Sequence, residues 1–138
     1  MKISTKGRYA LRLMLDIARN GEEEAVRLAD AARRQEISVK YLEQIAALLV
    51  RAGYLKSVRG PQGGYRLTRS PEEYTAGDIL RVTEGNLAPV ECLEGEKNEC
   101  PRAPACETLR LWKELWEAVH GVTERYTLRD LLGDEAKK

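Results

Sequence analysis

Apolar residues recur every three or four positions along the first fifty residues, and this spacing predicts helices. A first helix is predicted over residues 5–20, where Gly21 stops it, and a second over residues 27–35. The predicted inward faces hold Tyr9, Leu13, Met14, Ile17 and Ala18 in the first helix and Leu28, Ala31 and Ala32 in the second.

A third helix is predicted to follow a tight turn at Glu36 and Ile37. Ser38 is a favourable N-cap for it, and Gly53 is a favourable residue just beyond its end. The side chains predicted to be buried lie at i, i+3, i+4 and i+7, namely Leu42, Ile45, Ala46 and Leu49. Two short helices joined by a tight turn form a helix-turn-helix.

The pattern then changes to short extended segments, which predict a hairpin with strands over residues 54–58 and 65–68. The six residues between them include Gly60, Gly63 and Gly64, and Arg59 opens the loop. Glycines let a backbone turn tightly and approach another molecule closely. A helix-turn-helix followed by such a hairpin is the layout of a winged helix-turn-helix.

The second half of the chain begins with a capping box at residues 75–78, which predicts a short helix ending near Thr83. Residues 85–105 show no periodicity. A long amphipathic helix is then predicted from about Pro104, and a capping box at residues 127–130 opens a last short helix. The apolar stripe of the long helix contains Leu109, Trp112, Leu115, Trp116 and Val119.

Charge divides the chain into two unlike halves. Residues 1–70 carry 14 Lys and Arg against 7 Asp and Glu, a net charge of +7, whereas residues 71–138 carry 9 against 15, a net charge of −6. A basic half joined to an acidic half suits a nucleic-acid-binding head and a regulatory or assembly tail.

The predicted fold is therefore mainly α with a small β-hairpin wing. Residues 1–70 form a winged helix-turn-helix, residues 71–91 a short helix and linker, and residues 92–106 a cysteine loop. Residues 104–132 form a dimerisation helix and a C-terminal helix, and residues 133–138 a flexible tail. We expect a homodimer, since a pair of heads reads two half-sites about 34 Å apart.

The outer face of the third helix carries side chains that suit base recognition. Arg59 is placed to enter a narrow minor groove or to contact phosphate, and Lys2, Lys6 and Arg8 add phosphate contacts from the first helix. The residues predicted to contact double-stranded DNA are Lys6, Ser38, Lys40, Tyr41, Glu43, Gln44, Arg59, Gly60, Gly63 and Gly64.

Three segments resemble the IscR family of bacterial repressors, which includes NsrR and CymR. They are GRYA at 7–10, SVKYLEQ at 38–44 and SVRGPQGGY at 57–65. The resemblance extends from residue 1 to about residue 132. It implies a homodimer on a pseudo-palindromic operator, with Ser38, Glu43 and Gln44 touching bases and Arg59 in the minor groove.

All three cysteines, Cys92, Cys100 and Cys106, lie within fifteen residues. In a cytoplasmic protein such a group more often binds metal or senses redox state than forms a structural disulfide. The spacing lacks the paired C-x-x-C of zinc ribbons, and thiolates in a loop suit iron–sulfur clusters and zinc about equally. The residues alone therefore leave the metal open.

The resemblance implies an iron–sulfur cluster, most simply [2Fe–2S], and control of cluster-biogenesis genes in response to cluster supply or to redox or nitrosative stress. The sequence departs from the IscR pattern, since the first cysteine gap is two residues longer and Leu109 replaces a ligating histidine. Arg8 stands where NsrR-type proteins have a carboxylate. Glu107 is the leading choice for a fourth ligand, with Glu99 and Glu91 as alternatives.

An adaptor that uses the winged fold to contact other proteins is an alternative from a different class. A cluster-independent, CymR-like repressor of cysteine metabolism that acts with a partner protein is the alternative within the same class. The single histidine, His120, is expected at the surface or an interface, and no nucleophile–base pair or P-loop indicates an enzyme. The sequence predicts no membrane span and no signal peptide, so we expect a cytoplasmic location.

Overall fold

The computed structural model describes residues 2–133, which form six α-helices and one two-stranded antiparallel sheet. Apart from Gly133, the predicted tail at 133–138 lies outside the described residues. The elements are α1 Thr5–Asn20, α2 Leu28–Gln35, α3 Val39–Arg51, β1 Leu55–Val58, β2 Gly64–Leu67, α4 Ala76–Glu84, α5 Leu109–Thr123 and α6 Leu128–Leu132.

The predicted order of elements is confirmed, and the fold is mainly α with a hairpin wing. The bounds of α1 match the prediction, whereas α2 begins one residue later because Arg27 is its N-cap. Both strands lie within one residue of their predicted positions. The capping boxes of α4 and α6, at Thr75 with Asp78 and at Thr127 with Asp130, are formed as predicted.

The start of α5 is a correction, since the helix begins at Leu109 and not near Pro104. A separate 3-10 turn, Ala103–Ala105, contains the proline. Cys106 then adopts an extended backbone, with ψ at 106°, so the turn cannot continue into the helix. A second 3-10 turn, Glu91–Leu93, lies at the other end of the cysteine loop.

Helix α1 lies at the centre of the core and contacts α2, α3, α4, α6 and β2. The predicted inward face of α1 is confirmed at Leu13, Met14 and Ile17, which are buried, whereas Tyr9 and Ala18 are half-buried. The predicted stripe of α3 is buried as well, from Leu42 through Leu49. The orientation of α3 is therefore set by the apolar surface that it shares with α1 and α2.

The turn between α2 and α3 is held by its backbone and by a cap. Glu36 adopts a left-handed conformation, with φ at 56°, and the N–H of the buried residue Ile37 donates to the carbonyl of Ala32 at 3.1 Å. The Ser38 hydroxyl accepts from the N–H of Tyr41 at 3.1 Å, which confirms it as the N-cap of α3.

A buried carboxylate joins α1 to α2. Asp16 is only 1% exposed and accepts two hydrogen bonds from the Arg34 guanidinium, at 2.7 and 3.0 Å. The Gln35 amide donates a third at 3.0 Å. Burial acts to raise the pKa of Asp16, but the hydrogen bonds and the charge of Arg34 outweigh it, so the pKa lies below its ordinary value.

The base of the hairpin is fastened by one hydroxyl. The side chain of Tyr74 is fully buried, and its hydroxyl donates to the carbonyl of Tyr54 at 2.9 Å. The same oxygen accepts from the backbone N–H groups of Thr68 at 2.9 Å and Arg69 at 3.0 Å. The segment that leads into α4 therefore holds both ends of the hairpin.

Helix α5 is attached to the rest of the chain mainly at its C-terminal end. Glu124 accepts hydrogen bonds from the guanidinium of Arg81 and, at 3.0 Å, from the hydroxyl of Thr75. The N–H of Ala76 donates to the Tyr126 carbonyl at 2.8 Å. None of the residues of α5 is buried.

Within residues 2–133 no helix is long and apolar enough to cross a bilayer.

Replacing Asp16 with Asn should destabilise the protein by about 1–3 kcal/mol, because it removes the charge-assisted hydrogen bonds between a buried carboxylate and Arg34, whose own side chain is 35% exposed. Urea unfolding at pH 7 measures this difference. Because the folded pKa lies below the unfolded value of about 3.9, the contribution is present at neutral pH. It is lost as the pH falls through the lowered pKa, so the two proteins should converge on acidification.

Asp30→Asn is the matched control, since Asp30 pairs with Arg33 at the surface, where both side chains are exposed. We expect it to change stability by no more than about 0.5 kcal/mol. Equal losses in the two variants would contradict the role of Asp16.

Replacing Tyr74 with Phe should cost about 1–3 kcal/mol, because it removes the shared partner of one carbonyl and two N–H groups at a half-buried site. Hydrogen exchange at the amides of Thr68 and Arg69 should accelerate more than exchange in α1. Tyr126→Phe is the control at an exposed tyrosine. Unchanged exchange at both amides would show that the hydroxyl does not hold the hairpin.

Candidate nucleic-acid interface and cysteine loop

The first two turns of α3 present a polar face to solvent. Ser38, Lys40, Glu43 and Gln44 are all exposed, and the buried stripe of the helix lies on its opposite face. A hydroxyl, an ammonium, a carboxylate and an amide supply donors and acceptors of the kinds that read base edges in a major groove. The structure therefore brings four of the predicted DNA contacts together on one surface.

Tyr41 differs from these four, because it is half-buried. Its ring packs edge-on against Tyr9 of α1, with centroids 5.6 Å apart and planes at 83°. The guanidinium of Arg12 lies 5.2 Å from the Tyr9 ring on the same side of the head. Tyr41 therefore helps to pack α3 on α1, a role that the predicted outer face did not include.

The hairpin tip is exposed at Arg59 and Gly60. Gly60 has φ at 104°, a conformation that residues with a Cβ rarely adopt, and its carbonyl accepts from the Gly63 N–H at 2.9 Å. This tight loop places the Arg59 side chain at the end of the wing. A guanidinium at such a tip suits a narrow minor groove or a phosphate.

The loop before α2 supports the hairpin as a third extended segment. Val26 and Tyr65 exchange two backbone hydrogen bonds, at 2.9 and 2.7 Å. Gly64 allows this approach, because a Cβ at that position would collide with the Val26 carbonyl. The Arg27 guanidinium donates to the carbonyl of Pro61 near the tip.

Arg27 is thus a positioning residue that the sequence analysis missed. Nothing in the local pattern marks it, since the two groups it joins are 34 residues apart in the chain.

The basic residues predicted to add phosphate contacts lie at the N-terminal end of α1. Lys6 is half-buried and Arg8 is exposed within the helix, and Lys2 is exposed just before it.

The cysteine loop holds its three thiols as free, half-buried side chains. Cys92 lies in the first 3-10 turn, and with Cys100 it lines one open depression that also contains Glu91 and Glu99. Cys106 is not part of that depression. The thiols are therefore divided into a pair and a single group.

Cys106 takes part in a short chain of polar contacts that leads into α5. Its sulfur lies 3.4 Å from the hydroxyl oxygen of Thr108, which accepts from the Trp112 indole N–H at 3.2 Å. The hydrogen bond with Thr108, together with weaker effects that include the charge of Arg102, lowers the pKa of the Cys106 thiol.

The predicted three-cysteine metal site is not assembled in this arrangement. Residues 2–133 contain no group of three Cys, His, Asp or Glu side chains placed to share one metal ion. The donor types suit an iron–sulfur cluster, but the positions do not, since only Cys92 and Cys100 line the same depression. Glu107 is exposed, and Leu109 supplies no ligand.

The remaining prediction for this region concerns His120. It is exposed, as predicted, and its ring packs on Trp116 with centroids 5.5 Å apart. It lies on α5, one turn after that tryptophan, and not in the cysteine loop.

Known proteins match this chain over nearly its full length. Residues 3–134 match the Rrf2 family, described as an iron-dependent transcriptional regulator. Protein Rrf2 of Nitratidesulfovibrio vulgaris is 43% identical over 97% of this chain and 89% of its own length.

Two solved structures extend the comparison to the fold. CymR, described as the global cysteine regulator of B. subtilis, superposes with a TM-score of 0.81 at 43% identity and covers 96% of both chains. IscR of T. potens has a TM-score of 0.76 at 38% identity and covers 98% of this chain and 88% of its own. These matches confirm the prediction of a winged-helix regulator that is not an enzyme. The chain belongs to the Rrf2 family of transcriptional regulators.

Proposed function

We propose that this protein represses transcription in the cytoplasm by binding a pseudo-palindromic operator as a homodimer. The observation that carries the proposal is the exposed polar face of α3 beside a braced wing. Ser38, Lys40, Glu43 and Gln44 would lie against base edges and backbone in the major groove. Arg59 and Gly60 would form the minor-groove contact, whereas Gly63 is buried and Gly64 half-buried, so these two would shape the loop rather than touch DNA. Lys6 would contact phosphate.

The uncovered face of α5 supports the dimer. Leu111 is 55% exposed and Val122 is 48% exposed, while Trp112 and Trp116 are half-buried and Leu115 is exposed. The apolar face of this fifteen-residue amphipathic helix needs a partner surface, and the head of its own chain covers little of it. A second copy would cover this face and hold two heads at the spacing of two half-sites.

The polar contacts of Glu124 would transmit the dimer geometry to each head. They fasten the end of α5 to α4, and α4 packs on α1. A change in the angle between two α5 helices would therefore move the heads relative to each other. Couplings of this kind change affinity by about 5–150-fold in typical cases.

We further propose that the cysteine loop is the sensor and that Cys92, Cys100 and Cys106 hold an iron–sulfur cluster, of the [2Fe–2S] type. Three thiols in one loop and the iron-dependent description of the family support this proposal. The cluster would supply a redox-sensitive group just before α5. The loop must rearrange to gather the three sulfurs, and Glu107 is the proposed fourth ligand.

A cluster-independent repressor, related to CymR, is the second function. It is favoured by the separation of Cys106 from the other thiols and by the 43% identity to the B. subtilis cysteine regulator. In that case a partner protein would control DNA binding. The two functions share the DNA surface and differ in the loop.

Gln44→Ala should weaken binding to the specific operator by about 5–150-fold, because a good base contact contributes about 1–3 kcal/mol. The operator is first obtained by selecting duplexes from a random pool with the wild-type protein. Fluorescence anisotropy then compares the selected duplex with an unselected one, whose affinity should change little. Arg51→Ala, at an exposed cation in the last turn of α3, is the control.

Affinity for DNA should fall steeply as salt rises, because phosphate contacts release counterions. Failure to select any sequence, or equal effects of Gln44→Ala and Arg51→Ala, would contradict the proposed interface. If no salt-dependent binding to DNA is found, the winged fold would instead serve to contact other proteins.

Protein purified without oxygen should be brown, and replacing all three cysteines with Ser should remove the visible absorption. Glu107→Ala should shift or weaken the absorption if this carboxylate is a ligand. Glu96→Ala is the control, at an exposed carboxylate in the same loop. A colourless wild-type protein whose DNA affinity survives the triple replacement would establish the cluster-independent function.

A further inference from the structure

A concave pocket lies at the back of the wing, away from the tip. It has a volume of about 490 Å³ and is enclosed by the end of α1, the base of the hairpin and α6. Ligand pockets in proteins commonly fall between about 300 and 1,000 Å³. None of the predicted DNA contacts and none of the cysteines lines it.

The walls of this pocket are strongly basic. Five cationic side chains and one carboxylate line it, namely Arg19, Lys56, Arg66, Arg69, Arg129 and Glu22. Their formal charges leave the lining at +4. So large an excess of one sign in a concavity attracts anions and raises their local concentration.

Three of these cations have no acidic partner within the described residues. Lys56 makes no hydrogen bond or ion pair there. Arg66 donates to the backbone carbonyl of Glu23, and Arg69 lies 5.2 Å from the ring centroid of Tyr54. By contrast, Arg129 is paired with Glu72 at 2.7 Å.

The strand register places two of these cations side by side. Lys56 and Arg66 are direct neighbours across the two strands. Like charges at such positions repel each other and destabilise the sheet. An anion placed between them would turn that repulsion into attraction.

The rest of the lining is apolar, with Ile17, Ala18, Leu67, Pro71 and Leu132. A small inorganic anion would leave this surface in contact with water. A ligand with a charged group and an apolar body would satisfy both parts of the pocket.

We propose that this pocket binds an organic anion, a carboxylate or similar acid carried on an apolar body. Lys56 and Arg66 hold the charged group, and the side chains of Ile17 and Leu67 contact the body. Because the pocket includes α1 and both strands, its occupant restrains the hairpin against the head. This site is separate from both the DNA surface and the cysteine loop.

The test uses the full-length protein and the fluorescent probe 8-anilinonaphthalene-1-sulfonate, which combines a sulfonate with an aromatic body. Three competitors are compared for their ability to displace it: octanoate, 1-octanol and inorganic phosphate. Octanoate should displace the probe at about tenfold lower concentration than either of the others, since it alone offers a charge to the cations and a chain to the apolar wall.

Two variants locate the binding. Lys56→Glu should reduce the affinity for octanoate about tenfold or more, whereas Arg51→Glu, an equal charge change outside the pocket, should leave it unchanged. Ala18→Phe should block the probe by filling the pocket without altering charge. Thermal unfolding confirms that each variant is folded.

Equal displacement by octanoate and octanol would overturn the proposal, because the cations would then have no role. The same holds if Lys56→Glu and Arg51→Glu bind alike, or if the wild-type protein shows no saturable binding of the probe. Binding that survives Ala18→Phe, once that variant is shown to fold, would place the probe elsewhere, such as on the apolar face of α5.

Discussion

The burial of the apolar stripe of α1 is the constraint on which the rest of the head depends. Helices α2, α3, α4 and α6 all pack on this one helix, so each of them has its orientation set by the same surface. Because the apolar face of α3 is buried against the core, its opposite, polar face is exposed. Asp16 fixes the orientation of α2 against α1 more specifically, because its carboxylate accepts two hydrogen bonds from the planar guanidinium of Arg34.

The position of the wing is fixed by hydrogen bonds from two segments that are far apart in the chain. Tyr74 holds the base of the hairpin, and Arg27 and Val26 hold the side that leads to the tip. The hairpin alone would be marginal, since two short strands rarely hold together in water. Its position relative to α3 therefore reflects contacts from the segments that precede α2 and α4 rather than its own stability.

How much the sequence predicted depended on how local each signal was. The capping boxes at Thr75 and Thr127 and the N-cap at Ser38 involve residues three apart, and all were predicted correctly. The contacts of Arg27 and Tyr74 join distant segments, so no spacing rule reveals them. In the cysteine loop, the chemistry of the side chains was visible, but their arrangement depends on two 3-10 turns that follow no hydrophobic period. The DNA contacts follow from types of residue on an exposed face, and they remain predictions.

The pairing of Lys56 with Arg66 across the two strands gives the wing an unusual response to ions. Dissolved salt screens the repulsion between these two cations and so stabilises the hairpin. The same salt weakens any attraction between the head and phosphates. The stability of the hairpin and its attraction to phosphates therefore change in opposite directions as ionic strength changes. At high ionic strength the wing would therefore be better ordered while its attraction to phosphates is weaker, which favours discrimination between sequences over indiscriminate attachment to nucleic acid.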